Sequence, residues 1–269
     1  MIDILKEIAQ EAGNFVLNNF HKKVSISEKY SFQDLATQVD IDCQKMIQER
    51  LLVYLSTHGI TANSISFIGE ENLRDSEKEH LFIIDPIDGT TNYVCGIRRF
   101  SVTIAYLHKG QLTISVIYEP YNHYLYWAER GKGAYKQDSN GVTRLRVSDL
   151  PIKKMVMLTH LSKYPEARKK VFRMTEKMYT EVLGIRMNTS TALDLANVAE
   201  GMNLFAVYGN SKVYDIAAPQ LLLEESGGVL VNWQGKKFDL DFVDVEKSYM
   251  IVATHPNNIT NITAITKEI

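Results

Sequence analysis

The segment HLFIIDPIDGTTNY, His80 to Tyr93, begins as an apolar strand and ends in two aspartates, a proline, a glycine and two threonines. Asp85 and Asp88 stand three residues apart at one turn. Two carboxylates about 4 Å apart repel by roughly 4 kcal/mol at an effective dielectric of about 20. A positive partner or a bound proton must offset that repulsion. Taken alone, Asp85-Pro86-Ile87-Asp88-Gly89 also fits an ordinary turn, because Asp, Pro and Gly all favour turns.

Reading outward, residues 2–20 carry Ile4, Leu5, Ile8, Ala12, Phe15 and Val16 at helical spacing. Residues 38–55 repeat the pattern with Ile41, Met46, Ile47, Leu51 and Leu55. LFIID (81–85) is a continuous apolar strand. FSVTIAYL (100–107), QLTISVIYE (111–119) and HYLYWAE (123–129) alternate, and His108-Lys109-Gly110 reads as a tight hairpin. Arg130 to Tyr135 reads as a glycine-broken turn. The first half is therefore expected to be two helices with an antiparallel sheet. After Asn140-Gly141 strands (155–160, 204–208, 228–233, 249–254) alternate with helices (165–180, 190–201, 214–226), which suggests an α/β lobe with a mixed or parallel sheet. The expected class is α/β, with an α+β lobe over residues 1–145 and an α/β lobe over 146–269, packed as one catalytic unit. The boundary falls within 140–150, and there is no low-complexity linker or internal repeat.

The 269 residues can bury a sizeable core. A net charge of -2 gives no general case for nucleic-acid or membrane binding. There is no apolar run long enough to span a bilayer. The N-terminus MIDILKEIAQEAGNF lacks the pattern of a signal peptide. Cys43 and Cys95 are far apart with no CxxC, as expected of reduced thiols in the cytoplasm. Cys95 is read as a packing residue.

Four acidic features stand out: Asp40 in TQVDID, Glu70 and Glu71 in FIGEEN, the Asp85/Asp88 pair, and Asp215 opening VYDIAAPQLLLEE. Each has a purely structural reading. Asp40 suits a helix dipole, Asp215 an N-cap, and Glu70-Glu71 a solvated loop. Together they say more. An acid at the carboxyl end of a buried strand faces the crevice where α/β proteins place ligands. Gly89-Thr90-Thr91 offers backbone N–H groups to a phosphate. A set of oxygen ligands with no paired His or Cys selects a hard cation, Mg²⁺ before Zn²⁺. Asp85 and Asp88 are thus expected to be held together by Mg²⁺, with a phosphate on its far side.

DPIDGTTN, with GEE upstream and YDIAAPQLLLEESGG downstream, resembles the inositol monophosphatase family of Mg²⁺-dependent, lithium-sensitive phosphomonoesterases, over nearly the whole chain. The resemblance implies a layered αβαβα sandwich, a homodimer, and two or three Mg²⁺ per site. It implies Glu70, Asp85, Asp88, Asp215 and the Ile87 carbonyl as metal ligands, with Asp85 bridging. It implies Asp40, Thr90 and Glu70 as the catalytic group, Thr90 and Asp40 orienting and deprotonating a water. Gly89 and Thr90 amides would hold phosphate, and Ser190, Thr191 and Tyr208 would face the substrate. Lys29, eleven residues before Asp40, matches a family lysine near the site, and Glu71 is a further candidate. Hydrolysis would be direct, without a phospho-enzyme.

The departures concern the substrate. Inositol-directed relatives carry glutamate where this chain has Tyr208. Their Gly-Ser/Thr-Ala-Ala loop reads Thr189-Ser190-Thr191-Ala192, Tyr214 replaces Trp, and Pro219 replaces Gly. Fructose 1,6-bisphosphate, 3′-phosphoadenosine 5′-phosphate and NADP stay open beside inositol 1-phosphate, although the Thr-Thr-Asn after Asp88-Gly89 leans toward the inositol branch. The alternative of another class is an RNA- or transcription-associated protein on the same fold. Its candidate basic faces are Lys153-Lys154, Arg168-Lys169-Lys170 and Arg173-Lys177, each also readable as a solvated face. An α/β domain without a site is the remaining reading.

Overall fold

The computed structural model describes every residue except 23–25, 29–34, 72 and 76–77, and only the backbone of 26–28, 35 and 73. Lys29 lies outside the described residues. The chain runs α1 (Ile2–Asn19), β1 (Ile26–Glu28), β2 (Leu35–Thr37), α2 (Gln38–Thr57), β3 (Ile65–Gly69), β4 (Leu73–Arg74), β5 (His80–Asp88), α3 (Thr90–Val94), β6 (Ser101–His108), β7 (Gln111–Glu119), β8 (Tyr124–Glu129), β9 (Gly133–Asp138) and β10 (Gly141–Arg144). It continues through β11 (Val156–Leu158), α4 (Pro165–Tyr179), β12 (Gly184–Arg186), α5 (Thr191–Ala199), β13 (Leu204–Ser211), α6 (Val213–Glu225), β14 (Val229–Asn232), β15 (Tyr249–Thr254) and α7 (Ile259–Thr266).

Strands β10-β9-β8-β7-β6-β5-β3-β4 form an eight-stranded sheet, and β12-β11-β13-β15-β14 a five-stranded one. Alternation along the strands explains how they stack. On β5, Phe82 and Ile84 pack toward α1 and α2, in a cluster with Leu5, Ile8, Val16, Ile47 and Leu51. Leu81 and Ile83 face the other way, toward α5 and α6, with Leu195, Ala217 and Leu222. Both faces are buried, so the strand reads as one apolar run. The second face of α5 and α6 meets Ile251 and Ala253 of the smaller sheet. Beyond that sheet, Val171, Met174 and Met178 of α4 and Ile262 of α7 cover Phe205, Val207 and Val252. The layers are therefore α, β, α, β, α, and one apolar cluster draws on residues from both expected lobes.

Several elements depart from the sequence reading. The first sheet is antiparallel except where β3 runs parallel to β5. The turn after β8 closes by Lys132, and Gly133-Ala134-Tyr135 already belongs to β9. Asn140-Gly141 is a hairpin leading to β10, all four residues of which are exposed, so no apolar alternation marked it. The His108–Gln111 hairpin is as expected, with Lys109 at φ 51° and Gly110 at φ 77° supplying a two-residue turn. Cys95 is exposed, because the five-residue α3 ends just before it.

Candidate active site

A bulge in β5 brings Asp85 and Asp88 together. Residues three apart on a regular strand point to opposite faces. Here Asp85 pairs with Thr103 and Asp88 with Ser101, so β5 spends three residues where β6 spends two. The extra residue lies at Pro86-Ile87, where proline has no N–H to give the ladder. The bulge turns both aspartates to the same side. The parallel pairing of Gly69 with Ile84 then brings Glu70 alongside Asp85, and the Glu70 N–H donates to the Ile84 carbonyl at 3.3 Å.

Glu70, Asp85, the Ile87 segment, Asp88, Gly89, Thr90 and Thr91 line one side of a cleft. Asp215 closes it from the first turn of α6, where its Oδ2 accepts the Lys212 N–H at 2.6 Å. Gly89 sits at φ 92°, and a Cβ there would lie 3.0 Å from the Arg99 carbonyl oxygen and 3.3 Å from the Thr189 carbonyl oxygen. Only glycine lets the chain turn so close to that loop. Asp40 is fully buried behind Thr90. Thr37 and Asp40 form a capping box on α2, with Thr37 N–H and Oγ1–H donating to Asp40 Oδ2 at 2.8 and 2.5 Å. Thr90 Oγ1 lies 2.9 Å from the Ile87 carbonyl and 3.4 Å from Asp40 Oδ1.

These acids share too little positive charge. Burial, with Glu70, Asp88, Asp215 and Asp40 around it, pushes Asp85 well above the usual carboxylate range. Burial raises Asp88 to about 6, restrained by hydrogen bonds from Ser190 and the Ala192 amide. Asp40 rises to about 7 through burial and Glu70, against the Thr37 bonds. Asp215 rises to about 7 through burial, against the Lys212 amide. An all-oxygen set with this proton appetite fits a hard divalent cation that would take the place of the protons.

Three expected positions do not face the cleft as the sequence reading had them. Ser190 is buried, and its hydroxyl donates to Asp88 Oδ2, so it holds a carboxylate rather than a substrate. The Thr191 and Ala192 amides also donate to Asp88, at 3.0 and 3.2 Å, while Thr191 itself lines the cleft. Tyr208 is fully buried behind the wall, where its hydroxyl donates to Asp194 Oδ2 at 2.6 Å. Arg99 and Asn188 donate to the other oxygen of Asp194 at 2.6 and 2.9 Å. Glu71 is fixed through its backbone, with Gln44 bonding both its N–H and its carbonyl, and does not line the cleft.

The cleft also holds residues the sequence reading passed over: His160, Leu161, Lys163, Asn210 and Lys212. His160 follows β11 and Asn210 sits near the end of β13. The rule that ligands gather beyond strand carboxyl ends was the available signal. The His160 ring packs at a tilt of 31° against Tyr208 with centroids 4.6 Å apart, and burial lowers its pKa. Asn92 of the Thr-Thr-Asn run clamps the facing loop, donating to the carbonyls of Arg99 (2.8 Å) and Asn188 (2.7 Å). Its Oδ1 accepts from Thr189, which holds a left-handed φ of 58°.

The whole sequence, residues 1–269, matches the family model described as the inositol monophosphatase family. It is 29% identical over 237 residues to the fructose-1,6-bisphosphatase/inositol-1-monophosphatase of Thermotoga maritima, covering 88% of this chain and 86% of that protein. It is 30% identical over 237 residues to Nus factor SuhB of Xylella fastidiosa, covering 87% of this chain and 82% of that one. The crystal structure of extragenic suppressor protein SuhB from Bartonella henselae superposes with a TM-score of 0.86 at 28% identity, covering 99% of this chain and 98% of that one.

Proposed function

The chain belongs to the inositol monophosphatase family, and we propose that it is a Mg²⁺-dependent phosphomonoesterase acting on a small sugar or polyol phosphate of the inositol 1-phosphate kind. The observation that carries this reading is the convergence of Glu70, Asp85, Asp88 and Asp215 on one cleft beside the Gly89–Thr91 turn. Those carboxylates and the Ile87 carbonyl are the groups that would hold two or three Mg²⁺. Mg²⁺ bound there lowers the pKa of a water molecule and neutralises charge on the phosphate.

The chain's own groups supply the rest. The Thr90 hydroxyl can donate to the Ile87 carbonyl at 2.9 Å or to Asp40 Oδ1 at 3.4 Å, and the second bond sets up a proton path to Asp40. Thr90 can then take a proton from the attacking water and pass its own to Asp40. A carboxylate raised to about 7 is suited to that exchange near neutral pH. The backbone N–H groups of Gly89 and Thr90 steady the phosphate oxygens. Thr191, Asn210 and His160 face the alcohol portion. Cys95 does not line the cleft, consistent with direct attack by water and no phospho-enzyme. Fructose 1,6-bisphosphate, 3′-phosphoadenosine 5′-phosphate and NADP are the alternative substrates. Inhibition by Li⁺, a homodimer and a cytoplasmic location belong to the proposal on the family resemblance. No helix among the described residues is long and apolar enough to cross a membrane.

The match to a Nus factor supports a second reading, association with RNA or the transcription machinery. Its basic faces are partly neutralised. Lys169 pairs with Glu166 at 2.7 Å and Lys177 with Glu268 at 2.6 Å, while Arg168 bonds the Ser162 and Lys163 carbonyls. Salt-dependent RNA binding would support that reading.

The primary test is phosphate release, with Mg²⁺ and with EDTA, from inositol 1-phosphate, fructose 1,6-bisphosphate, 3′-phosphoadenosine 5′-phosphate, NADP and glycerol 2-phosphate. One substrate hydrolysed only with Mg²⁺ is expected. A folded, Mg²⁺-loaded protein inert on all five would overturn the reading.

A further inference from the structure

At the end of the large sheet away from the cleft, the register of β5 and β6 sets His80 directly opposite His108. Directly opposed residues share a face, and the two imidazole centroids lie 5.1 Å apart. Tyr106 is two residues before His108 and so shares that face. Its hydroxyl lies 2.8 Å from Nδ1 of His80 and 3.4 Å from Nδ1 of His108. Nε2 is then the nitrogen each ring has left for a ligand. On His108 that atom is 3.7 Å from Glu79 Oε1. One ligand atom each from Glu79, His80 and His108 lies within 4.8 Å of the other two, and no other such trio of His, Cys, Asp or Glu occurs among the described residues.

We propose that Glu79, His80 and His108 form a second metal site, for a divalent transition ion of the Zn²⁺ class, separate from the acidic cleft. Two imidazole nitrogens and one carboxylate oxygen suit Zn²⁺, Co²⁺ or Ni²⁺, whereas an all-oxygen cleft suits Mg²⁺. Bond lengths of about 2.0–2.2 Å require the three ligand atoms to draw closer together. Glu79 is exposed and both histidines are half-buried, so small side-chain rotations can do this. The fourth position stays open to water.

The surroundings support the ligands. Tyr106 is buried and stacked on Phe82 at 4.9 Å, so its hydroxyl is held in place. Its oxygen can accept from Nδ1–H of both rings, which fixes the tautomer that presents Nε2 to an ion. Lys109 pairs with Glu79 at 3.3 Å, but its side chain is 69% exposed on a flexible stem and swings into water when a cation takes the carboxylate. Eight residue steps along β5 separate His80 from Asp88, at most roughly 26 Å at strand rise. The two sites therefore load independently, and an ion at this one pins the start of β5 to the end of β6.

The test is Zn²⁺ titration of the full chain by calorimetry with Mg²⁺ in large excess, together with Co²⁺ absorption spectra. The wild type should take up one Zn²⁺ per chain, gain thermal stability from it, and give the intense visible bands of tetrahedral Co²⁺. The His80→Gln/His108→Gln double variant should lose the uptake and the bands and keep its Mg²⁺-dependent hydrolysis. Tyr106→Phe should weaken binding roughly 10- to 100-fold. The exposed Glu79→Gln variant, which threatens no core packing, should also weaken it. No Zn²⁺ uptake by the wild type, or equal uptake by the double and Glu79→Gln variants, would overturn the proposal. The proposal does not depend on the phosphatase reading, since its readout is metal uptake.

Discussion

The family resemblance sets Tyr208 among the substrate-facing residues, yet its hydroxyl points to the buried Asp194 rather than into the cleft. Replacing Tyr208 with Phe separates the two roles. The hydroxyl gives Asp194 Oδ2 a hydrogen bond of 2.6 Å, while Arg99 and Asn188 serve Oδ1. The Asp194 side chain is 1% exposed, so no bulk water can replace the lost donor. A hydrogen bond to a buried charged group contributes about 1.5–3 kcal/mol. A chain of about this size shifts by roughly 2–4 °C per kcal/mol, so Tyr208→Phe should lower Tm by roughly 3–12 °C. Because the hydroxyl touches no substrate, KM should stay within about twofold. Differential scanning calorimetry and steady-state kinetics on the preferred substrate give both numbers. An unchanged Tm with a KM raised about tenfold or more would show the hydroxyl to be a substrate contact and refute the reasoning.

Asp40, Asp88 and Asp215 have folded pKa values of about 7, 6 and 7, above the roughly 3.9 of an unfolded aspartate. The folded state therefore binds more protons across that interval, and the metal-free protein should lose stability as pH rises from about 4 to about 7. Mg²⁺ should remove the part of the loss that comes from its proposed ligands Asp88 and Asp215. Thermal melts in EDTA and in Mg²⁺ across this range check it, and a metal-free Tm that climbs with pH would be the wrong sign. Thr90→Val removes the hydroxyl between Asp40 and the cleft and should lower kcat by about 100-fold with little change in Tm; rates within a few-fold of wild type would remove Thr90 from the proton path. Gly89→Ala forces a Cβ against the Arg99 carbonyl at φ 92°. It should cost roughly 1–2 kcal/mol in backbone strain, and displacement of the turn should lower kcat/KM by about 100-fold.

Most elements were legible because their signals are local, whereas the order of the layers came from the family resemblance. The 3.6-residue stripe of α1, the alternation of β7 and the Lys109-Gly110 turn each declare themselves. What stayed hidden was set by distant partners. β10 is fully exposed and carries no alternation, and the parallel pairing of β3 with β5 has no local mark. The same division runs through the site. The acids could be named from the sequence, but their shared orientation rests on a one-residue bulge that only the register with β6 reveals. Ser190 looked like a substrate contact until the fold brought it to Asp88. His160 and Asn210 come from strand ends remote in sequence from the acidic motifs.

The most direct test of the central claim is a Mg²⁺ titration of phosphate release by the wild type, Asp88→Asn and Asp215→Asn, each shown to be folded by its circular dichroism spectrum. The wild type should show saturable Mg²⁺ dependence, and each variant should lose about 100-fold or more, as expected when several kcal/mol of transition-state charge stabilisation is removed. Folded variants that match the wild type in rate and in Mg²⁺ response would contradict the assignment of this cleft as the metal-dependent active site.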